Sequence, residues 1–578
     1  MFRQLIAASL LFGSLAAAQS SNPSENDRLI QTAKLWITVK YFHPYLAYRN
    51  IDWDKALIDA LPKIRAAQNK QDYAAALQSM LQALEDPATR VLDGDREIQE
   101  SGGQRMWMHH GFPPEFGPDP GVFYSAFASR SATAAQIARL PLSDGITASI
   151  RLSEPIQSAA IPTIKPDSYD ASRFPSTEYR ILAAFKIWGV IHYFFAYRDL
   201  MDEDWDTVFA DFLPRFVSAK DAHEYSLTVA DMLTHTLDSH VTVSSDELAD
   251  YFGRAAVGLR LRLIEKKPVI TEILDENAKS AGLRIGDIVA SVDGQRIADR
   301  FNRIQDYISA GTPQRRGYDS IQQVLNGPDG STATLLVGTQ EGPTKEIKLQ
   351  RTAAFTTALK QLERTSDPVR ILPDNIGYAD LTRIGDDQTP AVFEKLQNTR
   401  AIIFDARGEI GRAAQALVAH LNNAKDVAGA IITGPITLSP DVTTTQSLTS
   451  TASYFFVEKL PDPIEPKYTG KTVMLIDERT IGAAEHLGLW LEAANNTAFV
   501  GTPSAGANGA TSNFVTPGGI TITFSGQDVR HANAGKLQRL GLQPTVLVAP
   551  TVNGTRRGRD EVLERAVEYL TNPRLRAL

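Results

Sequence analysis

The stretch KTVMLIDERTIGAAEHLGLWLEAANNTAFVGTPSAGANG, residues 471–509, decides the fold of the C-terminal part of this chain. Its apolar run Val473 to Ile476 predicts a β-strand, and the apolar spacing that begins at Ala483 predicts a helix. A second short strand is predicted at Ala498 to Val500, before a glycine-rich turn. Strand, turn, helix and strand in this order predict an α/β domain with a sharp strand-to-helix elbow.

This elbow lacks a side chain at its most important position. In hydrolases a strand-to-helix elbow exposes a nucleophile, because the turn lifts one side chain clear while N–H groups at the helix N-terminus face a developing oxyanion. Gly482 occupies the nucleophile position here. Thr480 and Ser504 carry hydroxyls nearby, but attack from either would be misplaced by several ångströms, and an error of ~1 Å can cost ~100-fold in rate.

Outward from the elbow, residues 370–570 alternate strands and helices, which predicts one α/β domain. The segments NIGYADL, RAIIFDARG, TITFSG and PTVLV predict strands, and EVLERAVEYL predicts a closing helix. A further helix is predicted at Arg412 to Asn423. Residues 424–470 are rich in Thr, Ser and Pro, and they predict a loop that borders the site.

Residues 254–352 form a separate unit. GLRLRL and PVITEIL predict strands, Gly286-Asp287 predicts a turn before a strand, and Asp293-Gly294 predicts a hairpin. With NAKSAGLRIGDIVASVDGQRI, these segments resemble a PDZ domain, a fold that binds peptide C-termini by strand addition and captures the carboxylate with loop amides. A purely structural role is the alternative. The resemblance assigns that loop to Gly258, Leu259, Arg260 and Leu261.

The N-terminal part contains an internal repeat. Residues 28–91 align without a gap on 180–243 at a constant offset of 152, with eighteen of sixty-four positions identical. Apolar residues in KLWITVKYF and AALQSMLQAL fall at helical spacing, so each copy predicts a small helical unit. Its shared aromatic residues are predicted to be core. Residues 92–179 between the copies are rich in Gly, Pro and Ser and predict a β-rich insertion.

Composition and charge exclude several classes of function. The 578 residues carry a net charge of -8 without basic runs, which argues against nucleic acid as a partner. The absence of cysteine excludes disulfides and thiolate chemistry. No HExxH motif follows Glu485-His486, so neither a metal nor a cofactor is predicted. No apolar run reaches the ~18 residues of a membrane span.

The first eighteen residues, MFRQLIAASLLFGSLAAA, predict a secretory signal. Arg3 is followed by an apolar segment from Leu5 and by the small residues Ala16 to Ala18, after which cleavage is expected. The mature protein is therefore expected to begin near Gln19 and to be exported, either to a periplasm or to the medium.

The order of motifs over about 250–570 resembles the C-terminal processing (tail-specific) and tricorn-core serine peptidases. The motifs are the PDZ-like unit followed by NIGYADLTRI, AIIFDARGEIG, LIDERTIGAAEH, FVGTPSAGANG, TPGGITITFSG and LQRLGLQPTVLV. The resemblance implies a multidomain α+β protein. It would have a duplicated helical N-terminal module, a PDZ domain and a ClpP/crotonase-like α/β peptidase domain.

The resemblance also assigns the site residues. Aligned on Glu485, the family serine falls on Gly482. Tail-specific members use a lysine base in the turn after the second strand, and that position is Ala507 here. Tricorn-type members use a histidine that follows a serine in the helical region, and Ser239-His240 fits that pattern.

Three further positions complete the implied site. The carboxylate that orients the histidine in the family falls near Gln538, which could donate or accept a hydrogen bond but supplies no charge. The oxyanion donors would be the N–H of Ala483 and a backbone N–H at Gly408, in the ARGEIG turn.

Three functions follow from these residues. The first is an exported serine-type endopeptidase, the label that the family implies. The second is a pseudopeptidase that binds peptide or protein C-termini without cutting, because Gly482 replaces serine. The third is a carrier of apolar small molecules, since the same fold is reused in the interphotoreceptor retinoid-binding protein. Fold by itself does not decide among them.

Overall fold

The computed structural model describes residues 24–92, 101–112, 123–156, 169, 172–339, 343–360, 366–385, 388–444 and 450–572. The predicted secretory signal, residues 1–18, lies outside the described residues. Within the described part of the chain, no helix combines the length and apolar character needed to cross a membrane.

In its described residues the first lobe combines three α-helices with six strands. Its first helix begins with a capping box, in which the Ser24 hydroxyl accepts the N–H of Asp27 and the Asp27 carboxylate accepts the N–H of Ser24. Residues 92–179 are β-rich in their described parts. The elements are α1 (Glu25–Phe42), α2 (Trp53–Ala66), α3 (Lys70–Leu81), β1 (Arg90–Leu92), β2 (Ser101–His110), β3 (Ala126–Ala134), β4 (Ile137–Pro141), β5 (Thr147–Arg151) and β6 (Ser153–Pro155).

The second repeat copy folds like the first, because the residues that they share form the core. The Trp53 indole N–H donates to the Trp36 carbonyl at 3.0 Å, and Trp205 donates to Trp188 at the same distance. All four side chains are buried, so the prediction that the shared aromatics are core is confirmed for these tryptophans. The elements are α4 (Thr177–Phe194), α5 (Trp205–Ser218), α6 (Ala222–Thr234), β7 (Thr242–Ser244) and α7 (Asp246–Phe252).

A six-stranded sheet with short helices follows the second copy. Asp293 and Gly294 both have positive φ at the predicted hairpin, as a two-residue type I′ turn requires. The core strands run in the order β13-β12-β10-β9-β8, so β8 is an edge strand. The elements are β8 (Leu259–Ile264), β9 (Lys267–Ile273), α8 (Glu276–Ser280), β10 (Ile288–Val292), β11 (Gln295–Arg296), α9 (Ile297–Gln305), α10 (Pro313–Ile321), β12 (Thr332–Gly338), β13 (Lys345–Gln350) and α11 (Ala353–Lys360).

The C-terminal domain is built on a mostly parallel sheet. The predicted elbow elements are present, with the helix beginning at Ala483 as expected. The elements up to the elbow helix are β14 (Val369–Leu372), β15 (Ile376–Asp380), α12 (Thr389–Leu396), β16 (Ala401–Asp405), α13 (Val418–Leu421), β17 (Ala428–Thr437), β18 (Thr443–Thr444), β19 (Thr451–Lys459), β20 (Lys471–Ile476) and α14 (Ala483–Asn495). Those after it are β21 (Ala498–Gly501), β22 (Thr511–Thr516), β23 (Ile520–Ser525), β24 (Asp528–His531), β25 (Val546–Leu547), α15 (Val552–Arg556) and α16 (Glu561–Thr571).

Both faces of this sheet are covered, which places the elbow at its carboxyl edge. The strand order is β14-β15-β16-β20-β21-β25, and every pair except β14-β15 is parallel. Helices α12, α13 and α14 pack on one face, and α16 packs on the other. In open α/β sheets the carboxyl ends of the strands form the ligand-binding edge.

Two predictions for this domain need correction. The helix expected at Arg412 to Asn423 is a 3-10 turn over Arg412–Leu417 followed by the short α13. The segment 424–470 is not only a loop, because β17 and β19 form a long antiparallel hairpin within it. The sequence AGAIITGPIT of β17 contains Gly and Pro, which are uncommon in strands. Pairing with the neighbouring strands, and not the intrinsic strand preference of its residues, stabilises it.

The two lobes share an arrangement that extends beyond the helices. In the first lobe β1 pairs with the β4–β5 hairpin, and in the second β7 pairs with the β22–β23 hairpin at equivalent positions. The strands β2 and β17 each carry a hairpin partner and pair antiparallel with one another. The duplicated helices therefore hold two similar β-structures, and the C-terminal domain is attached to the second.

Candidate active site

The backbone at Gly482 has the conformation of a nucleophile elbow. Its φ is +57° and its ψ is -115°, a region in which an L side chain is strained and glycine is not. The Gly482 N–H donates to the Ala507 carbonyl at 2.9 Å, which fixes the turn against the loop after β21. The elbow thus keeps its shape without the side chain that it would present.

His240 faces this elbow. A Cβ built on Gly482 would lie 3.5 Å from the His240 Nε2, with no other heavy atom within 4 Å beyond its immediate chain neighbours. The other ring nitrogen, Nδ1, lies 3.1 Å from the Ser525 hydroxyl. Among the described residues, Nε2 has no hydrogen-bond partner. The ring is therefore held at one nitrogen and open toward residue 482 at the other.

Asp238 organises the turn that carries this histidine. One carboxylate oxygen accepts the His240 N–H at 3.1 Å and the Gln538 side-chain amide at 3.0 Å. The other oxygen accepts the Ser525 N–H at 3.0 Å. Because Asp238 is fully buried, these bonds fix the positions of its three neighbours.

The His240 environment favours the neutral imidazole. Burial lowers the pKa of His240, and the positive charge of Arg315 on α10 acts in the same direction. The negative charge of Asp238 opposes both. A neutral imidazole with an open Nε2 is the form that accepts a proton as a general base.

Gln538 and Ser239 form no hydrogen bond with the His240 ring. Gln538 bonds Asp238 and not the imidazole, so the group that contacts the His240 ring is Ser525. The Gln538 carbonyl oxygen is buried and has no partner among the described residues. The Ser239 hydroxyl accepts the Gly311 N–H at 3.0 Å, which ties the turn to the segment before α10.

The two predicted oxyanion donors differ. The Ala483 N–H has no acceptor among the described residues, and it lies at the N-terminus of α14. The Gly408 N–H, in contrast, donates to the Ala406 carbonyl at 3.0 Å. Strands β16 and β20 are parallel neighbours, so both donors lie at the same sheet edge. The Ala483 N–H can donate to an oxyanion directly, whereas the Gly408 N–H would first have to break its hydrogen bond to the Ala406 carbonyl.

Glu485 ties the elbow helix to the loop that follows β21. Its buried carboxylate accepts the N–H of Gly506 at 2.7 Å, the N–H of Ala507 at 2.9 Å and the Ser504 hydroxyl. Burial raises the pKa of Glu485 to about 7, although these hydrogen bonds lower it. Ala507, at the position that the resemblance assigns to a lysine base, thus contributes its backbone N–H to this network.

The two alternative hydroxyls are both engaged. Thr480 donates to the Ala406 carbonyl at 2.8 Å and accepts the Asp477 N–H, and its side chain is fully buried. Ser504 donates to Glu485 and accepts the Leu542 N–H at 2.6 Å. Neither hydroxyl is available to attack a carbonyl beside His240.

No metal cluster is present among the described residues, where no group of three or more potential ligands occurs. His486 instead contacts the Glu458 carboxylate at 2.6 Å. The apolar carrier has no support from the void between α12 and the sheet, which is lined by Phe393 and Phe404 and has no room for a water molecule.

The predicted carboxylate-binding loop lies at the edge strand β8. Leu259 and Leu261 point into the core, and Arg260 pairs with Glu272 at 3.2 Å. The Leu261 carbonyl accepts the Gln322 side-chain amide at 2.9 Å. A Cβ on Gly258 would come within 2.9 Å of the Phe355 ring, so α11 packs directly on this loop.

Sequence reasoning missed Ser525 and the central role of Asp238. Asp238 had a signal, because it is identical to Asp86 in the first copy, where the carboxylate accepts the Ala88 N–H at 3.1 Å in the same way. Ala88 occupies the position that corresponds to His240, so the first copy has no histidine there. No sequence pattern pointed to Ser525, since it lies 285 positions from His240.

Comparisons with known proteins bear on the family of the C-terminal domain and on the fold. Residues 375–548 match the model of Peptidase family S41. No curated protein matches the sequence. Mature CPAF complexed with lactacystin is 14% identical, with 68% of this chain and 99% of that chain covered at a TM-score of 0.53. Mature CPAF is also 14% identical, with 68% of this chain and 98% of that chain covered at a TM-score of 0.52.

A third solved structure, the photosystem II D1 C-terminal processing protease, is 17% identical and covers 68% of this chain and 98% of its own, with a TM-score of 0.38. At these identities the likeness to CPAF shows a shared fold and nothing more. The matched residues contain the sheet edge, the elbow and the Glu485 loop, whereas His240 comes from the second repeat copy. The match to Peptidase family S41 therefore covers the C-terminal domain, residues 375–548, and leaves the two repeat copies and the sheet of residues 254–352 outside it.

Proposed function

We propose that this protein binds peptide or protein C-termini in the cleft beside Gly482 and releases them without forming an acyl-enzyme. The observation that carries the proposal is the position of His240. Its Nε2 lies 3.5 Å from where a Cβ of residue 482 would stand, and residue 482 has no hydroxyl for that base to activate. The peptidase cleft is retained, while the covalent step has no nucleophile.

The energetics support binding rather than efficient cleavage. In serine peptidases the loss of a triad member leaves a residual acceleration of only ~10³–10⁴-fold over water, supplied by the oxyanion hole and by binding. Here the Ala483 N–H remains as a donor, but the hydroxyl is missing. Peptide bonds are therefore expected to survive binding on the timescale of ordinary assays.

For recognition of the chain end we propose strand addition at β8, as in PDZ domains. The edge position of β8 supports this, because its outer side has no strand partner among the described residues. Two contacts oppose access: Gln322 occupies the Leu261 carbonyl, and Phe355 packs on Gly258. Binding would then require α11 to move away from the loop.

Equilibrium binding of paired peptides tests this recognition. A library of fluorescent peptides with free C-terminal carboxylates should yield ligands whose affinity falls when the same peptides are amidated. Phe355→Ala, which removes the ring over Gly258, should strengthen binding of the free-carboxylate form. Equal affinity for amidated and free peptides would refute carboxylate capture.

The second candidate is serine-type peptide hydrolysis, favoured by the retained elbow, the Ala483 N–H and the placement of His240. Casein or peptide-library hydrolysis by the purified protein separates the two candidates. Cleavage that is abolished by a serine-reactive inhibitor would establish the peptidase and overturn the binding proposal.

We also propose that the protein is exported, on the basis of Arg3, the apolar segment from Leu5 and Ala16 to Ala18. N-terminal sequencing of the protein from the producing cell should start near Gln19. A chain that retains Met1 would refute export by this signal.

A further inference from the structure

The side-chain position of residue 482 is open and lies against a base. Among the described residues, His240 Nε2 is the only heavy atom within 4 Å of a Cβ built there, apart from the immediate chain neighbours. Gly482 and Ala483 are both half-buried rather than sealed in the core. The space between the Gly482 backbone and His240 Nε2 is therefore not filled by another described side chain.

We propose that His240 activates a water molecule at this position, so that the cleft hydrolyses activated carboxylic esters by direct attack of water. This inference uses the cleft of the proposed function but needs no recognition of a peptide. Small aryl esters are the substrate class, because an aryloxide leaves readily and the tetrahedral intermediate collapses without help from a covalent enzyme intermediate.

The step balances without any further reactant. His240 Nε2 takes a proton from water as the water oxygen bonds to the ester carbonyl carbon, and the carbonyl oxygen becomes an oxyanion that faces the Ala483 N–H. The intermediate then collapses and breaks the bond between carbonyl carbon and ester oxygen. The leaving aryloxide takes the proton back from His240, which gives a carboxylic acid and a phenol.

Ser525 is the positioning residue in this scheme. Its hydroxyl lies 3.1 Å from His240 Nδ1, and its own N–H is fixed by the Asp238 carboxylate at 3.0 Å. When Nδ1 carries the proton and donates it to the Ser525 oxygen, Nε2 presents its lone pair toward residue 482. The charged groups that act on the ring are Asp238 in its own turn and Arg315 on α10.

Hydrolysis of p-nitrophenyl acetate by the full-length protein tests the proposal. His240→Ala and, as a second variant of similar size, His240→Gln should each lower the protein-dependent rate by ~10²–10⁴-fold, or to background, since general-base activation contributes about that factor. Gly482→Ala should also lower the rate, because its methyl group would stand 3.5 Å from His240 Nε2 and leave no room for a water molecule between them. His223→Ala removes an exposed histidine elsewhere and should change nothing.

Two measurements distinguish this mechanism from a loss of folding in the variants and from a covalent acetyl intermediate. Ser525→Ala should shift the midpoint of the pH–rate profile, an effect that a loss of folding alone does not produce. Intact mass during turnover should show no acetylated protein. The proposal is overturned if the rate survives both His240 variants, if His223→Ala abolishes it, if Gly482→Ala leaves it unchanged, or if an acetyl adduct accumulates.

These outcomes are independent of peptide binding. Loss of ester hydrolysis with peptide affinity intact refutes only the water mechanism. Ester hydrolysis in a protein that binds no peptide C-termini refutes only the proposed function.

Discussion

Gly482→Ser should convert the protein into a peptidase. The Cβ of the new side chain would stand 3.5 Å from His240 Nε2, an ordinary van der Waals contact, so nothing needs to shift. One further bond brings the hydroxyl oxygen within the ~2.6–3.2 Å reach of a general base. The elbow conformation, φ +57° and ψ -115°, strains any L side chain by about 1–3 kcal/mol.

The size of the effect follows from the base. In the serine variant, adding His240→Ala should lower the peptidase rate by ~10²–10⁴-fold, because the hydroxyl loses its proton acceptor. Fluorescence-quenched peptides from a random library measure the rate, and thermal unfolding confirms that each variant is folded. Gly482→Ala is the matched control: it has the same backbone strain, lacks the hydroxyl and should remain inactive on peptides.

Two results would refute this reasoning. A folded Gly482→Ser protein that cleaves no peptide would show that the Ala483 donor and His240 are not sufficient, with the Gly408 N–H as the next group to examine, since it donates to Ala406. A serine variant that is active but indifferent to His240→Ala would show that another group is the base.

Three further predictions concern the buried network. Because burial lowers the pKa of His240, the peptidase rate of Gly482→Ser should rise with pH about a midpoint below the usual 6.5; a midpoint above it contradicts this. Burial raises the pKa of Glu485 from 4.5 to about 7, so its stabilising contribution is complete below 4.5 and is lost as pH rises through 7. In Glu485→Gln, the free energy of unfolding should lose a pH-dependent change of roughly 3 kcal/mol between these two pH values. If the variant keeps the same pH dependence as the unmodified protein, Glu485 is not its source. Gln538→Glu places a second carboxylate beside Asp238, so it should lower the melting temperature more at neutral pH than at acid pH. An equal decrease at both pH values would contradict this contact.

The elbow was predictable because its information is local. The apolar run before Ile476 and the helical spacing after Ala483 fix a strand and a helix, and the turn between them admits few conformations. The family motif then identifies Gly482 as the nucleophile position. In the structure His240 lies next to Gly482, although the two residues are 242 positions apart in the printed sequence.

The partners of His240 were not predictable, because they come from distant segments. Ser525 lies at the end of β23, whose residues Thr521 to Thr523 pair with β7 at the end of the second repeat copy. Gln538 was expected near the imidazole and instead bonds Asp238, a side chain whose burial cannot be read from a single sequence. The β17–β19 hairpin was hidden for a related reason, since cross-strand pairing stabilises a segment whose composition favours a loop.

Labelling with a fluorophosphonate, followed by intact-mass measurement and peptide mapping, tests whether Gly482 is an elbow without a nucleophile. The protein should show no adduct, whereas the Gly482→Ser variant should gain one phosphonyl group, mapped to position 482 and reduced by His240→Ala. An adduct on a hydroxyl elsewhere in the cleft of the unmodified protein, such as Thr480 or Ser504, would contradict the claim that no described hydroxyl can serve as the nucleophile.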